Sequence, residues 1–191
     1  MSMSMSKGIV VTALVAMLAF TAGCTTTTGG SDPDARRATI NAGVDDALES
    51  LYRQVEGSRE LVAKARGVLV FPDVLEAGFV FGASRGVGAL RVGGKTESYH
   101  ATTSGSWGFQ AGAQSSAVFM LFMTDEALSN FRKSSGWTAG VDASVTMISV
   151  GASAQVSTAT AQQPVIGFVL SNRGLMAGIS LNGARITQLD L

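Results

Sequence analysis

The stretch SYHATTSGSWGFQAGAQSSAVFMLFMTD, from Ser98 to Asp125, decides how the fold of this chain is interpreted. It is rich in glycine, small polar residues and aromatics, and it then becomes a run of large apolar side chains. Glycine and threonine are too frequent here for a stable helix, and aromatics are too frequent for a linker. The stretch therefore predicts tightly packed β-structure in the middle of one domain, followed by a helix capped by Thr124.

Apolar runs punctuated by glycine extend the β prediction on both sides of this stretch. Gly93-Gly94 and Asn182-Gly183 indicate two-residue hairpin turns, because such turns need positive φ angles. The alternation of apolar residues slips by one position at Met147–Ile148, which predicts a β-bulge or bend there. The predicted strands cover Val68–Phe71 (closed by Pro72), Gly78–Gly82, Gly86–Val92, Lys95–Thr102, Trp107–Gln114, Ser116–Phe122, Val141–Ser157, Val165–Leu170, Leu175–Leu181 and Ala184–Leu189.

Two helical segments precede the predicted strands. Asp32-Pro33 supplies an N-cap and a proline at the first helical position, and apolar residues then follow at intervals of three or four as far as Val55. Gly57 and Gly67 are predicted to end the first and second helices. Because long αβ repeats are absent from the sequence, we expect an α+β fold. Its sheet is mainly antiparallel (sandwich or barrel-like), with an N-terminal helical segment and one helix inserted near 124–133.

Residues 1–23 are typical of a lipoprotein signal peptide. Lys7 is followed by the apolar run Ile9–Phe20, which is too short to cross a bilayer, since a spanning helix needs roughly 20 apolar residues. Thr21-Ala22-Gly23-Cys24 resembles a bacterial lipobox, which predicts acylation of Cys24 after cleavage. Residues 24–31 are predicted to form a flexible tether, and residues 32–191 a single domain.

The residue after the cysteine indicates the destination of such a lipoprotein. Thr25 stands where an aspartate would retain the protein in the inner membrane, so by resemblance to known sorting patterns we expect an outer-membrane lipid anchor in a bacterial cell envelope. The sequence leaves open whether the domain is periplasmic or surface-exposed.

Composition and motifs argue against several function classes. Without Lys7, 14 − 1 = 13 basic residues face 14 acidic ones, a formal charge of −1 that does not predict nucleic-acid binding. One histidine and one acylated cysteine cannot form a zinc site, and no cofactor is expected. The G-x-S-x-G pattern at 82–86 lacks the helix that must follow a nucleophile elbow. With His100 as the sole candidate base, we expect no enzymatic activity.

Seven runs between Val55 and Leu189, taken in order, resemble the SYLF family. They are KARGVLVFP (64–72), AGF (77–79), RVGGK (91–95), QAGAQ (110–114), MTDEAL (123–128), GVD (140–142) and GLMAG (174–178). The resemblance implies a lipid-binding or actin-regulator-like domain; eukaryotic members are associated with phosphoinositide membranes and with actin assembly.

Export changes what this resemblance implies about partners. A bacterial envelope lipoprotein meets neither actin nor phosphoinositides there, so the expected partner is an anionic phospholipid or a similar amphipathic ligand. Such a site needs an apolar groove with a few cationic donors. The alternatives are scattered solvated charge at these positions and a structural or protein-interaction role in the envelope. The candidate lipid-binding residues are Lys64, Arg66, Arg85, Arg91 and Lys95.

Overall fold

The computed structural model describes residues 32–78, 81–107, 112–148, 162–171, 174–175 and 181–191. Over these ranges, three helices are present: α1 (Pro33–Gln54), α2 (Ser58–Lys64) and α3 (Asp125–Lys133). None of the described helices is long and apolar enough to cross a membrane. The strands are β1 (Gly67–Gly78), β2 (Phe81–Val92), β3 (Lys95–Trp107), β4 (Gly112–Phe122), β5 (Trp137–Thr138), β6 (Thr146–Met147), β7 (Val165–Ser171), β8 (Gly174–Leu175) and β9 (Arg185–Leu189).

The described strands form one sheet in the order β5-β9-β3-β2-β1-β4-β7-β6, with β8 paired to β7. Its strand pairs are antiparallel except for β6 with β7. The sheet curls into a half-barrel. The predicted α+β class, with a mainly antiparallel sheet and a helix near 124–133, is confirmed.

Both faces of the central strands are buried. Val68 and Val70 point to the face covered by α1 and α2, whereas Leu69 and Phe71 point to the face that carries α3. Consecutive residues of a strand point to opposite faces, so a strand covered on both sides is apolar at every position. The same reasoning explains β7, where Val165 to Leu170 are all buried. The prediction of a central strand at 165–170 is confirmed.

The helix boundaries follow the signals in the sequence. Helix α1 begins at Pro33 and packs a stripe that includes Val44 and Leu51 against the sheet. Gly57 has a φ of 78° between α1 and α2, a left-handed conformation that favours glycine. Thr124 caps α3, and its hydroxyl accepts a hydrogen bond from the Ala127 N–H at 3.2 Å. These predicted starts and stops are confirmed within one turn.

Pro72 does not end a strand, contrary to the prediction. Strand β1 continues to Gly78, and its register with β2 shifts between Val70 and Asp73, which marks a bulge. A bulge tolerates proline because the ladder hydrogen bond is already interrupted there. Strand β2 is likewise continuous over Phe81–Val92, so the predicted break between Gly82 and Gly86 is also wrong.

The predicted strand at 141–157 is wrong over its first residues. Val141 and Asp142 lie in a turn after Gly140, whose φ is 80°. The Asp142 carboxylate accepts a hydrogen bond from the Thr138 N–H at 2.6 Å and stabilises this turn. Val141 is 78% exposed, so its place in the alternation did not reflect burial. The strand begins only at Thr146, and residues 149–157 lie outside the described residues, so the bulge at Met147–Ile148 stays a prediction.

The two predicted turns are both present. Gly93 and Gly94 have φ angles of 56° and 79° and join β2 to β3 as predicted. Gly183 has a φ of 85°, and the Ala184 N–H donates to the Leu181 carbonyl at 3.0 Å across that turn. Most of the strand predicted before it, 175–181, lies outside the described residues.

Candidate functional site

An apolar groove lies between the first half of α1 and the outer parts of β1 and β2. Its volume is about 680 Å³, which is within the range of small-molecule sites. We call it the α1–β2 groove. It is lined by Thr39, Ile40 and Gly43 of α1, by Pro72, Asp73 and Leu75 of β1, and by Ala83, Ser84, Arg85, Gly86 and Val87 of β2.

Leu75 and Arg85 give this groove its amphipathic character. They are directly opposite each other in the β1–β2 register, so their side chains share one face of the sheet. Leu75 is 54% exposed, and among the described residues Val141 is the other large apolar side chain that is exposed. Arg85 is exposed and has no ion-pair partner in the described part of the chain. The nearby Asp73 carboxylate accepts a hydrogen bond from Ser115.

A second concavity, the α1–α2 cleft, has a volume of about 700 Å³. At about 100° per residue, Asp45 and Tyr52 point away from the side of α1 that carries Ile40 and Gly43, so the groove and the cleft use different sides of the helix. The charged and aromatic residues of the cleft are Asp45, Glu49, Tyr52, Arg59 and Arg91, and its apolar residues include Leu48, Val62, Ala65 and Val68.

The structure does not bring the five candidate cations into one cluster. Arg85 lines the groove and Arg91 lines the cleft. Arg66 forms an ion pair with Asp125 at 3.5 Å, at the start of α3. Lys64 at the end of α2 and Lys95 at the start of β3 are exposed and line neither concavity.

Three residues that matter to these concavities were not among the candidates. Leu75 was missed because the strand was expected to stop at Pro72. Arg59 and Tyr52 were missed because they belong to different helices, and the guanidinium carbon of Arg59 lies 4.2 Å from the Tyr52 ring centroid only once α1 and α2 pack. The spacing of Asp45, Glu49 and Tyr52, at i, i+4 and i+7 on α1, was the one available signal in the sequence.

The G-x-S-x-G segment at 82–86 lies within continuous strand β2 and is not an elbow. The hydroxyl of Ser84 bonds to that of Ser104 at 2.6 Å. His100 pairs with Gly88, four positions further along β2, so it is about 13 Å from Ser84 along the sheet. The described residues also contain no group of three or more side chains suited to a metal ion.

His100 lies in a smaller pocket of about 230 Å³ beneath α3. Its Nε2 atom is 2.8 Å from the Ser98 hydroxyl, and its ring centroid is 5.0 Å from that of Phe131. Burial lowers the pKa of His100 to about 4, although the nearby Glu97 carboxylate acts to raise it. Glu97 is itself held by Arg132, whose Nε donates to Oε1 at 2.7 Å. The neutral imidazole thus shares one hydrogen bond with the Ser98 hydroxyl and packs against Phe131.

Residues 103–190 match the family model Ysc84, described as Las17-binding protein actin regulator. The match covers the end of β3 from residue 103 and all of α3 and β4 to β9, and the resembling runs before residue 103 lie outside it. No curated protein matches the chain. The matched region contains the QAGAQ, MTDEAL, GVD and GLMAG runs on which the resemblance rested. Residues 103–190 therefore match the Ysc84 (SYLF) family, in agreement with the resemblance found in the sequence.

Proposed function

We propose that this protein is an envelope lipoprotein, acylated at Cys24, whose folded domain binds an anionic phospholipid or a similar amphipathic ligand without catalysing a reaction. The observation that carries the lipid-binding part is the pairing of exposed Leu75 with Arg85 across the α1–β2 groove. An apolar wall beside an unpaired cation matches the two chemical parts of such a lipid. The family of residues 103–190 is consistent with this role.

The groove supplies both kinds of contact that such a ligand needs. Ile40, Leu75 and Val87 offer apolar surface, and burying acyl methylene groups there gains roughly 0.8 kcal/mol for each group. The Arg85 guanidinium can donate to a phosphate, and hydrogen bonds between charged partners contribute roughly 1.5–3 kcal/mol. Since Arg85 has no ion pair with another described residue, binding a phosphate breaks no existing salt bridge.

The predicted tether is long enough to let the domain work at a membrane surface. From Cys24 to Pro33 there are 33 − 24 = 9 residues, which reach about 30 Å when extended. An anchored domain encounters bilayer lipids at a high effective concentration, so a modest intrinsic affinity is sufficient for occupancy.

Acylation of Cys24 is tested by metabolic labelling with a fatty acid in a bacterial host. We expect the wild-type chain to incorporate label and to fractionate with the outer membrane. Cys24→Ala removes the acceptor thiol and is expected to abolish the label. Equal labelling of both chains would contradict the lipoprotein assignment.

Vesicle flotation tests the groove in the full-length chain carrying Cys24→Ser, so that no acyl anchor is present. We expect greater recovery with phosphatidylglycerol vesicles than with phosphatidylcholine vesicles, and a decrease as salt rises. Arg85→Gln is expected to lower recovery with anionic vesicles about tenfold or more, because it removes charged hydrogen bonds of roughly 1.5 kcal/mol or more. Leu75→Ser is expected to lower it about fivefold, because it removes about 1 kcal/mol of apolar contact. Residues 1–31 are common to all variants and contribute equally to each.

Lys133→Gln is the matched control for the flotation experiment, because Lys133 is an exposed cation on α3 and lines neither concavity. Its recovery is expected to equal that of the parent chain. Unchanged recovery of both groove variants would exclude the groove as the lipid site. Crosslinking of Leu75 to a single protein in cells would instead support the protein-interaction role.

A further inference from the structure

The α1–α2 cleft contains charged side chains of both signs, and two of them, Arg91 and Asp45, form an ion pair with each other. The Arg91 guanidinium is 2.9 Å from the Asp45 carboxylate and also donates to the Asn41 carbonyl at 3.3 Å. The Arg91 side chain is only 16% exposed. This pair is therefore a fixed wall of the cleft, and its net charge is zero.

Arg59 is a cation of the cleft that is not in an ion pair with any described residue. It stacks over the Tyr52 ring at 4.2 Å. Stacking uses the flat face of the guanidinium and leaves its N–H groups, which lie in the plane, available to an acceptor. The ring thus holds Arg59 in place as a donor for an anion.

Glu49 is the available anion of the cleft. Its carboxylate is 3.5 Å from Arg53, in a pair whose side chains are 71% and 66% exposed. An exposed pair at this distance contributes little to stability, so an incoming cation can compete for the carboxylate. Glu49 and Tyr52 are three residues apart on α1 and therefore lie on one side of the helix. This spacing places an anion next to the ring that holds Arg59.

We propose that the α1–α2 cleft binds a compact zwitterion that carries a phosphate and a primary ammonium a few bonds apart. The phosphate accepts hydrogen bonds from Arg59, the ammonium donates to Glu49, and the carbon atoms between them lie over Leu48 and Val62. This site is separate from the α1–β2 groove and does not depend on the function proposed for it. The same chemistry is found in an ethanolamine phospholipid headgroup and in soluble phosphodiesters of ethanolamine.

Calorimetric titration of the full-length Cys24→Ser chain with glycerophosphoethanolamine tests this proposal. We expect the zwitterion to bind at least fivefold more tightly than glycerol 3-phosphate or ethanolamine, which each carry one of the two charges. Arg59→Gln and Glu49→Gln are each expected to weaken binding of the zwitterion at least fivefold. Lys133→Gln on α3 and Leu75→Ser in the groove leave it unchanged.

Vesicles distinguish the two sources of the zwitterion. Displacement of bound glycerophosphoethanolamine by phosphatidylethanolamine vesicles, but not by phosphatidylglycerol vesicles, identifies the lipid headgroup as a ligand. Tight binding of the soluble probe without displacement identifies a soluble phosphodiester. Equal affinity for glycerol 3-phosphate and the zwitterion, no binding at millimolar concentration, or unchanged affinity in both cleft variants would overturn the proposal.

Discussion

Gly88→Ala is expected to lower the free energy of unfolding by about 3 kcal/mol or more, at the upper end of the cost of inserting a methyl group into a packed interior. Gly88 lies on β2 opposite the β1 bulge, between the Val70–Ala89 and Asp73–Val87 pairs. A β-carbon here would overlap the carbonyl oxygen of Val70 and lie 2.7 Å from its carbonyl carbon. Because these are backbone atoms, no change of rotamer relieves the clash.

The bulge explains why glycine stands at this position. Phe71 and Pro72 together oppose the single residue Gly88, and this arrangement brings the β1 backbone over β2. The alanine side chain would also meet the Phe71 ring at 2.8 Å, in the core beneath α3. The substitution therefore disturbs the bulge and the core together.

Urea unfolding monitored by tryptophan fluorescence checks this prediction. Gly105→Ala is the matched control, because Gly105 lies in β3 and a β-carbon there meets nothing within 4 Å. We expect the control to change stability by less than about 1 kcal/mol, since alanine is the better strand residue of the two. A Gly88→Ala chain as stable as the control would show that the bulge is misplaced.

Acidification is expected to destabilise the domain by up to about 3 kcal/mol through His100 alone, over the interval from about pH 6.5 to about pH 4. The pKa of His100 is about 4 in the folded protein because burial disfavours the charged imidazole. In the unfolded chain it returns to about 6.5. Between these values the unfolded chain binds a proton that the folded chain does not, so stability falls as the pH decreases. Above pH 6.5 the contribution is constant.

His100→Gln isolates this contribution from that of the carboxylates. Glutamine can keep a hydrogen bond to Ser98 but does not titrate. The measurement is the difference in unfolding free energy between wild type and variant at pH 7 and at pH 4.5. We expect the difference to shift by about 2 kcal/mol in favour of the variant at the lower pH. A difference that does not change with pH would mean that His100 titrates normally.

The fold was predictable where local chemistry and burial agree. Val165–Leu170 is apolar at every position because it is a central strand, and Thr124 with Asp125 marks a helix start that needs no tertiary information. Pro72 misled the prediction because the bulge depends on both neighbouring strands. The predicted strand at 141–157 began too early because apolar and polar residues also alternate in the turn that contains Val141. That turn depends on the positive φ of Gly140 and on the Asp142 carboxylate.

The candidate site was only partly predictable. Arg85 and Arg91 were chosen as cations near strand ends, and both lie on the α1 face of β2. They line different concavities because α1 lies between them. Leu75 became a candidate only after its register with Arg85 was known. Arg59 depends on the turn at Gly57, which brings α2 back beside Tyr52. Pairings across strands and helices are properties of the tertiary fold, and no local pattern encodes them.

The central claim is that lipid occupies the α1–β2 groove, and photocrosslinking tests it most directly. The mature, acylated protein, which begins at Cys24, is reconstituted in phosphatidylglycerol vesicles that contain a phospholipid with a photoreactive acyl chain, and adducts are mapped by mass spectrometry. We expect adducts on the peptides that contain Ile40, Leu75 and Val87, reduced at least fivefold by Leu75→Ser. Adducts confined to the tether at residues 24–31, with none on the groove, would contradict the account.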